Sequence, residues 1–133
     1  MKKKILVIDT IMDEWAQKLF AKLLNESEYI EASFANSNEE ITSFLRGNVP
    51  DAIILEPVST TELKKELDYA GCISFGKIIE DIKKLNLTKN PIWIFLSDGS
   101  FERLIGIYTF DLIEYKLLVK PVPTSVIIEA ILN

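Results

Sequence analysis

Histidine is absent from this chain, and cysteine occurs once, at Cys72. Without histidine the usual general base is missing, and with it every Ser-His or Cys-His nucleophile arrangement. A lone cysteine cannot close an internal disulfide, and a zinc site is left without its common ligands. No apolar run approaches the ~20 residues of a membrane-spanning helix. The run that follows the opening lysines, Ile5 to Ile8, stops at Asp9, too short for a secretory signal. Clustered positive charge is scarce as well. Lys2-Lys3-Lys4 is the one basic run, in a chain with 15 Lys and Arg against 20 Asp and Glu and a net charge of −5. A sequence-independent nucleic-acid surface needs more than that, so the lysines read as solubilising flanks of a first buried strand. No membrane or nucleic-acid partner is expected, and the cytoplasm is the expected location.

What is present is an ordinary globular composition: 48% hydrophobic and 26% charged residues over 133 positions. That length supports one domain with one sizeable core, spanning residues 1–133. Lys4 to Ile8 is an apolar run ending in Asp9-Thr10, a first buried strand. From Met12 to Asn25 the period becomes helical, with Trp15, Leu19 and Leu23 recurring and Ala16 and Phe20 beside them. Tyr29 to Phe34 alternates weakly, as a strand. Ser37-Asn38-Glu39-Glu40 has the form of a capping box, followed by Ile41, Phe44 and Leu45 and a stop at Gly47.

Asp51-Ala52-Ile53-Ile54-Leu55-Glu56-Pro57 is the centre of the pattern. A short unbroken apolar run between turn signals is what a strand buried on both faces of a parallel sheet looks like. A helix over Gly76 to Leu85 presents Ile78, Ile79, Ile82 and Leu85; Pro91 to Leu96 is a further strand, ending at Ser97. A helix through Leu104, Ile105 and Tyr108 is interrupted by Gly106. Leu117 to Val119 is a last short strand before Lys120-Pro121, and a helix from Thr124 carries Val126, Ile127, Ala130 and Ile131. Trp15 and Trp93 fall in apolar patterns and are expected in the core, and Cys72 reads as a small apolar residue. Strands and helices alternate five times, which predicts an α/β sandwich around a parallel sheet. Asp9, Glu56, Ser97 and Lys120 each end a strand, and in such folds the carboxyl ends of the strands carry the site.

The chain resembles the receiver domain of two-component response regulators. The resemblance rests on Lys4-Ile-Leu-Val-Ile-Asp9, Pro50-Asp-Ala-Ile-Ile-Leu-Glu56-Pro57, Gly76 to Leu85, Pro91 to Ser97 and Leu117-Leu-Val-Lys120-Pro121, in that order and spacing. It implies a flavodoxin-like three-layer sandwich with five parallel strands in the order 2-1-3-4-5. It also implies phosphoryl transfer from a histidine kinase to an Asp carboxylate, with Mg²⁺ held by acidic residues after the first strand. Asp9 matches the first of those acids, but Thr10 stands where the direct metal ligand would be. Glu56 stands in place of the phosphoacceptor, Ser97 matches the phosphoryl-binding hydroxyl, and Lys120 matches the cation. Leu117 takes the place of the aromatic switch residue, with Tyr115 two residues earlier at the same strand parity.

The departures fall on the chemistry. Glu is one methylene longer than Asp, which shifts the attacking oxygen by over ~1 Å, and misplacement of that size can cost ~100-fold in rate. Thr10 removes one carboxylate of the metal set and leaves Asp9 and Glu56, so no cofactor and no metal is expected. The resemblance therefore points to a pseudo-receiver, not an enzyme, that binds a protein of a signalling pathway, a histidine kinase or an output domain, or pairs with itself. Glu56 is expected to bridge to Lys120 within reach of Ser97. An active receiver with an unusual metal requirement is one alternative. A small-molecule or flavin-binding domain is another, disfavoured because Asp9 to Trp15 holds no Gly-rich phosphate loop. The segment from Pro57 to Ser74 is longer than the family pattern and reads either as decoration or as a lid or docking element. The final helix is short for a receiver, as in a domain cut from a longer protein or one completed by another chain.

Overall fold

Ala52-Ile53-Ile54-Leu55 is buried at every position, as an apolar run without polar alternation requires. In the computed structural model it forms the central strand of a five-stranded parallel sheet. The structure describes residues 2–8, 14–35, 38–55, 81–85, 87–97, 115–119 and 122–133. The strands are β1 (Lys3–Ile8), β2 (Ile30–Ala35), β3 (Ala52–Leu55), β4 (Ile92–Ser97) and β5 (Tyr115–Val119). Their order is β2-β1-β3-β4-β5, the doubly wound order. Helix α1 covers Glu14–Asn25, α2 covers Asn38–Gly47 and α3 covers Thr124–Leu132, and residues 81–84 are helical.

Each central strand sends alternate side chains to two cores. Leu6, Ile8, Ile53, Leu55, Trp93 and Phe95 meet Ile41 of α2 and Ile82 on one face. Ile5, Val7, Ala52, Ile54, Ile94 and Leu96 meet Leu24 of α1 and Ile127 and Ile131 of α3 on the other. This is why β1, β3 and β4 read as continuous apolar runs: both sides of the pleat are covered. Burying a side chain of this size contributes roughly 1.5–3 kcal/mol. Trp93 is 2% exposed and its ring stacks near Phe95, as the apolar pattern predicts for a core residue.

Two details differ from the sequence reading. Among the described side chains of α1, residues 20–25, Leu24 is buried and Phe20 packs beside the same core, while Leu23 is 37% exposed. Leu23, expected on the apolar stripe, is thus partly turned to solvent, while Phe20 reaches β2 and meets Phe34 edge to face at 6.0 Å. And β5 begins at Tyr115, two residues before the expected start, since Tyr115 and Lys116 pair with Trp93 and Ile94. Leu85 closes the 81–84 helix half exposed, and Ile82 alone of that described turn is buried.

Candidate functional site at the carboxyl edge of the sheet

The parallel registers decide what can meet at the sheet's carboxyl edge. Ile8 at the end of β1 is the partner of Leu55 at the end of β3, and Leu55 is the partner of Phe95. Strand β4 continues two residues beyond that level to Ser97, which pairs with Val119 at the end of β5. Neighbouring strands lie about 4.8 Å apart, so these four strand ends form one continuous edge. Asp9, Glu56 and Lys120 follow Ile8, Leu55 and Val119 in the chain. Asp9, Thr10, Glu56 and Lys120 lie outside the described residues, as do the Pro57–Ser74 segment and Cys72. Of the expected site residues, Ser97 is at this edge, as the last residue of β4.

Leu117 and Tyr115 occupy one face of β5. Leu117 is opposite Phe95 and packs against the core that holds Trp93. Tyr115 is opposite Trp93, 37% exposed, with its ring tilted against Phe95 at 5.5 Å. Tyr115 starts the strand, four residues or roughly 13 Å before Val119, so it belongs to the far end of the sheet from Ser97.

Mg²⁺, which the receiver resemblance implies, would draw on Asp9 and Glu56, both outside the described residues. Thr10 supplies a hydroxyl where a carboxylate is needed, and a hard dication favours charged oxygens. Among the described residues no group of three His, Cys, Asp or Glu side chains is placed to hold a metal.

The opposite edge holds a polar node that the sequence reading missed. Asp51, just before β3, accepts the Lys4 N–H at 2.8 Å through Oδ2 and pairs with the Lys89 ammonium through Oδ1. Its own N–H donates to the Lys4 carbonyl at 2.8 Å, and its carbonyl accepts from Ile92 N–H at 3.1 Å. One residue thereby ties the starts of β1, β3 and β4. Burial pushes its carboxyl pKa up, but the Lys89 and Lys4 hydrogen bonds and the Lys89 and Lys3 charges outweigh that, leaving it below the ordinary value. Nothing in the sequence links positions 4, 51 and 89; the parallel register does.

Between β5 and α3 lies an open groove of about 310 Å³, lined by Lys116, Leu118, Val126, Glu129, Ala130 and Asn133. Val126, on its rim, is 38% exposed. The carbonyls at the end of α3 accept from lysines of the sheet: Lys116 Nζ reaches Ala130 O at 2.8 Å and Lys3 Nζ reaches Ile131 O at 3.5 Å. Cations at a helix C-terminus satisfy its orphan carbonyls and its dipole.

No family model matches the chain, and no curated protein matches its sequence. Solved structures do. A CheY-like receiver domain of a response regulator from Methylobacillus flagellatus aligns over 98% of this chain and 99% of its own, with a TM-score of 0.66 and 16% identity. The fold is CheY-like. The Francisella response regulator 1452 receiver domain aligns over 98% of this chain and 93% of its own, at a TM-score of 0.58 and 18% identity. A structure described as adenylate cyclase from Rhodopirellula baltica matches at a TM-score of 0.61 and 16% identity, over 98% of this chain and 85% of its own. At these identities the chains share an architecture, and the flavodoxin-like three-layer sandwich with strand order 2-1-3-4-5 is that architecture. No described helix is long and apolar enough to cross a membrane.

Proposed function

We propose that this chain is a cytoplasmic receiver-type signalling module that binds a protein partner and is not phosphorylated at the family's usual position. The observation that carries this reading is the residue that follows β3. Leu55 is the last described residue of the central strand, flanked by Ile8 of β1 and Phe95 of β4, and the next residue in the chain is Glu56. In a receiver fold that is the acceptor's place. A glutamate there carries its oxygen too far for in-line attack, and Thr10 removes a ligand from the metal set. No phosphoryl-transfer step follows from these residues. Glu56 instead bridges to Lys120 near Ser97, holding the edge in one state as a strut. The partner, a histidine kinase, an output domain or a second copy, docks on the side formed by β5 and α3, where Val126 and the adjoining groove offer apolar surface.

The test is incubation with acetyl phosphate and Mg²⁺ followed by intact mass. The wild-type chain is expected to gain no phosphate, and the Glu56→Asp, Thr10→Asp double variant to gain one. A phosphate adduct on the wild type overturns the reading. Lys120→Ala in the same series is expected to lower the melting temperature, and an unchanged melting temperature would remove the bridge from the account.

A further inference from the structure

Strand β2 is the outer strand of the sheet, and the middle of its free side is occupied by one side chain. Lys3 pairs with Ile30, and Lys3 N–H donates to Tyr29 O at 2.8 Å. In a parallel ladder backbone groups alternate between the two sides of a strand. The groups of residues 29, 31, 33 and 35 therefore face β1, and those of Ile30, Ala32 and Phe34 face outward. At Ala32, the middle of the three, both outward groups are taken by Asn25, the last residue of α1. Ala32 N–H donates to Asn25 Oδ1 at 2.8 Å, and Asn25 Nδ2 donates to Ala32 O at 3.3 Å. A primary amide has one acceptor and two donors, so it makes the two contacts that the backbone of a neighbouring strand would make. Ile30 N–H is also engaged, with Ser27 O at 3.3 Å. Both Asn25 contacts are solvent-exposed, so this is a surface seal and not a core bond.

We infer that Asn25 is a guard that prevents a second copy of this chain from adding its β2 to the sheet. An exposed strand edge is a template for pairing. A two-fold antiparallel pairing of β2 with β2 would be centred on Ala32, because it is the middle outward residue, and isologous contacts place such a residue on or beside the axis. Occupying Ala32 therefore blocks the pairing at its centre. Glu31, exposed on the same strand, adds like charge across any such contact.

The experiment compares wild type, Asn25→Ala and Asn25→Ala with Ala32→Pro by sedimentation velocity over a concentration series, with amide exchange at position 32 followed in the first two. Wild type is expected to show no β2-mediated association. Asn25→Ala is expected to exchange the Ala32 amide roughly 5-fold faster, the loss of one ordinary hydrogen bond, and to associate with rising concentration. Ala32→Pro removes the outward N–H without costing a bond to β1, and proline on an edge resists pairing, so the double variant is expected to lose that association. Circular dichroism confirms that each variant is folded. An Asn25→Ala chain that sediments as wild type at every concentration overturns the inference. So does association that persists in the double variant, since it would then run through another surface.

Discussion

Asp51 shows what one residue does when tertiary structure surrounds it with partners. Its carboxylate holds a backbone N–H of β1 and an ammonium from the segment before β4, but the two contacts are unequal. The Lys89 side chain is 58% exposed, and exposed ion pairs are worth ~0–1 kcal/mol. A hydrogen bond between a charged group and a backbone N–H is worth ~1.5–3 kcal/mol. Asp51→Ala is therefore expected to cost about 1–3 kcal/mol in urea denaturation and Lys89→Ala less than about 1 kcal/mol. The pH dependence has a definite sign. The folded pKa lies below the unfolded one, so the stabilisation is complete above the unfolded value of ~3.9 and fades as pH falls through the folded value. Asp51→Asn is expected to flatten that part of the acid-stability profile, as measured by melting temperature below pH 5 (about one unit above the unfolded pKa).

At the level of elements, the helices were easier to locate than to orient. The boundaries of α1, α2 and α3 follow from periodicity and stop signals, and Asn25, Gly47 and Leu132 end them close to where the sequence places the ends. Which side of α1 faces inward did not follow. Leu19, Phe20, Leu23 and Leu24 offer two apolar stripes about 100° apart, and a helix alone has no means of choosing. Packing on Ile30 and Phe34 chooses Phe20 and Leu24. Leu24→Ala is expected to cost ~2–5 kcal/mol, as a fully buried leucine does, and Leu23→Ala under ~1 kcal/mol. Equal losses in thermal denaturation would restore the other stripe. Strands β3 and β4 posed no such choice, because a run that is apolar throughout has both faces buried.

For the whole molecule, two cores share one sheet and every strand between them contributes to both or borders both. No element can leave without exposing a neighbour, which is the condition for all-or-none unfolding. Tryptophan fluorescence of a Trp15→Phe variant, which reports Trp93 in one core, and far-UV circular dichroism are expected to give coincident denaturation curves; separated midpoints would show that the two layers unfold apart. The same sheet sets what its two sides present. Its β2 side is closed at Ala32 by Asn25, and the β5 side, with α3 and Val126, is where the apolar groove lies.

Local sequence determined the fold class here, because buried parallel strands, amphipathic helices and their stops are written in short-range pattern. It also marked Ser97, which is the last residue of β4, while Asp9, Glu56 and Lys120, which follow Ile8, Leu55 and Val119 in the chain, lie outside the described residues. Tertiary structure decided the pairings that have no sequence signature. The register set Ile8 beside Leu55, joined Asp51 to Lys4 and Lys89 across 47 and 38 positions of chain, and turned the Asn25 amide onto Ala32. Pattern fixes which face of a strand is apolar, whereas contacts between distant segments depend on how the whole sheet is ordered, and only the folded chain contains that order.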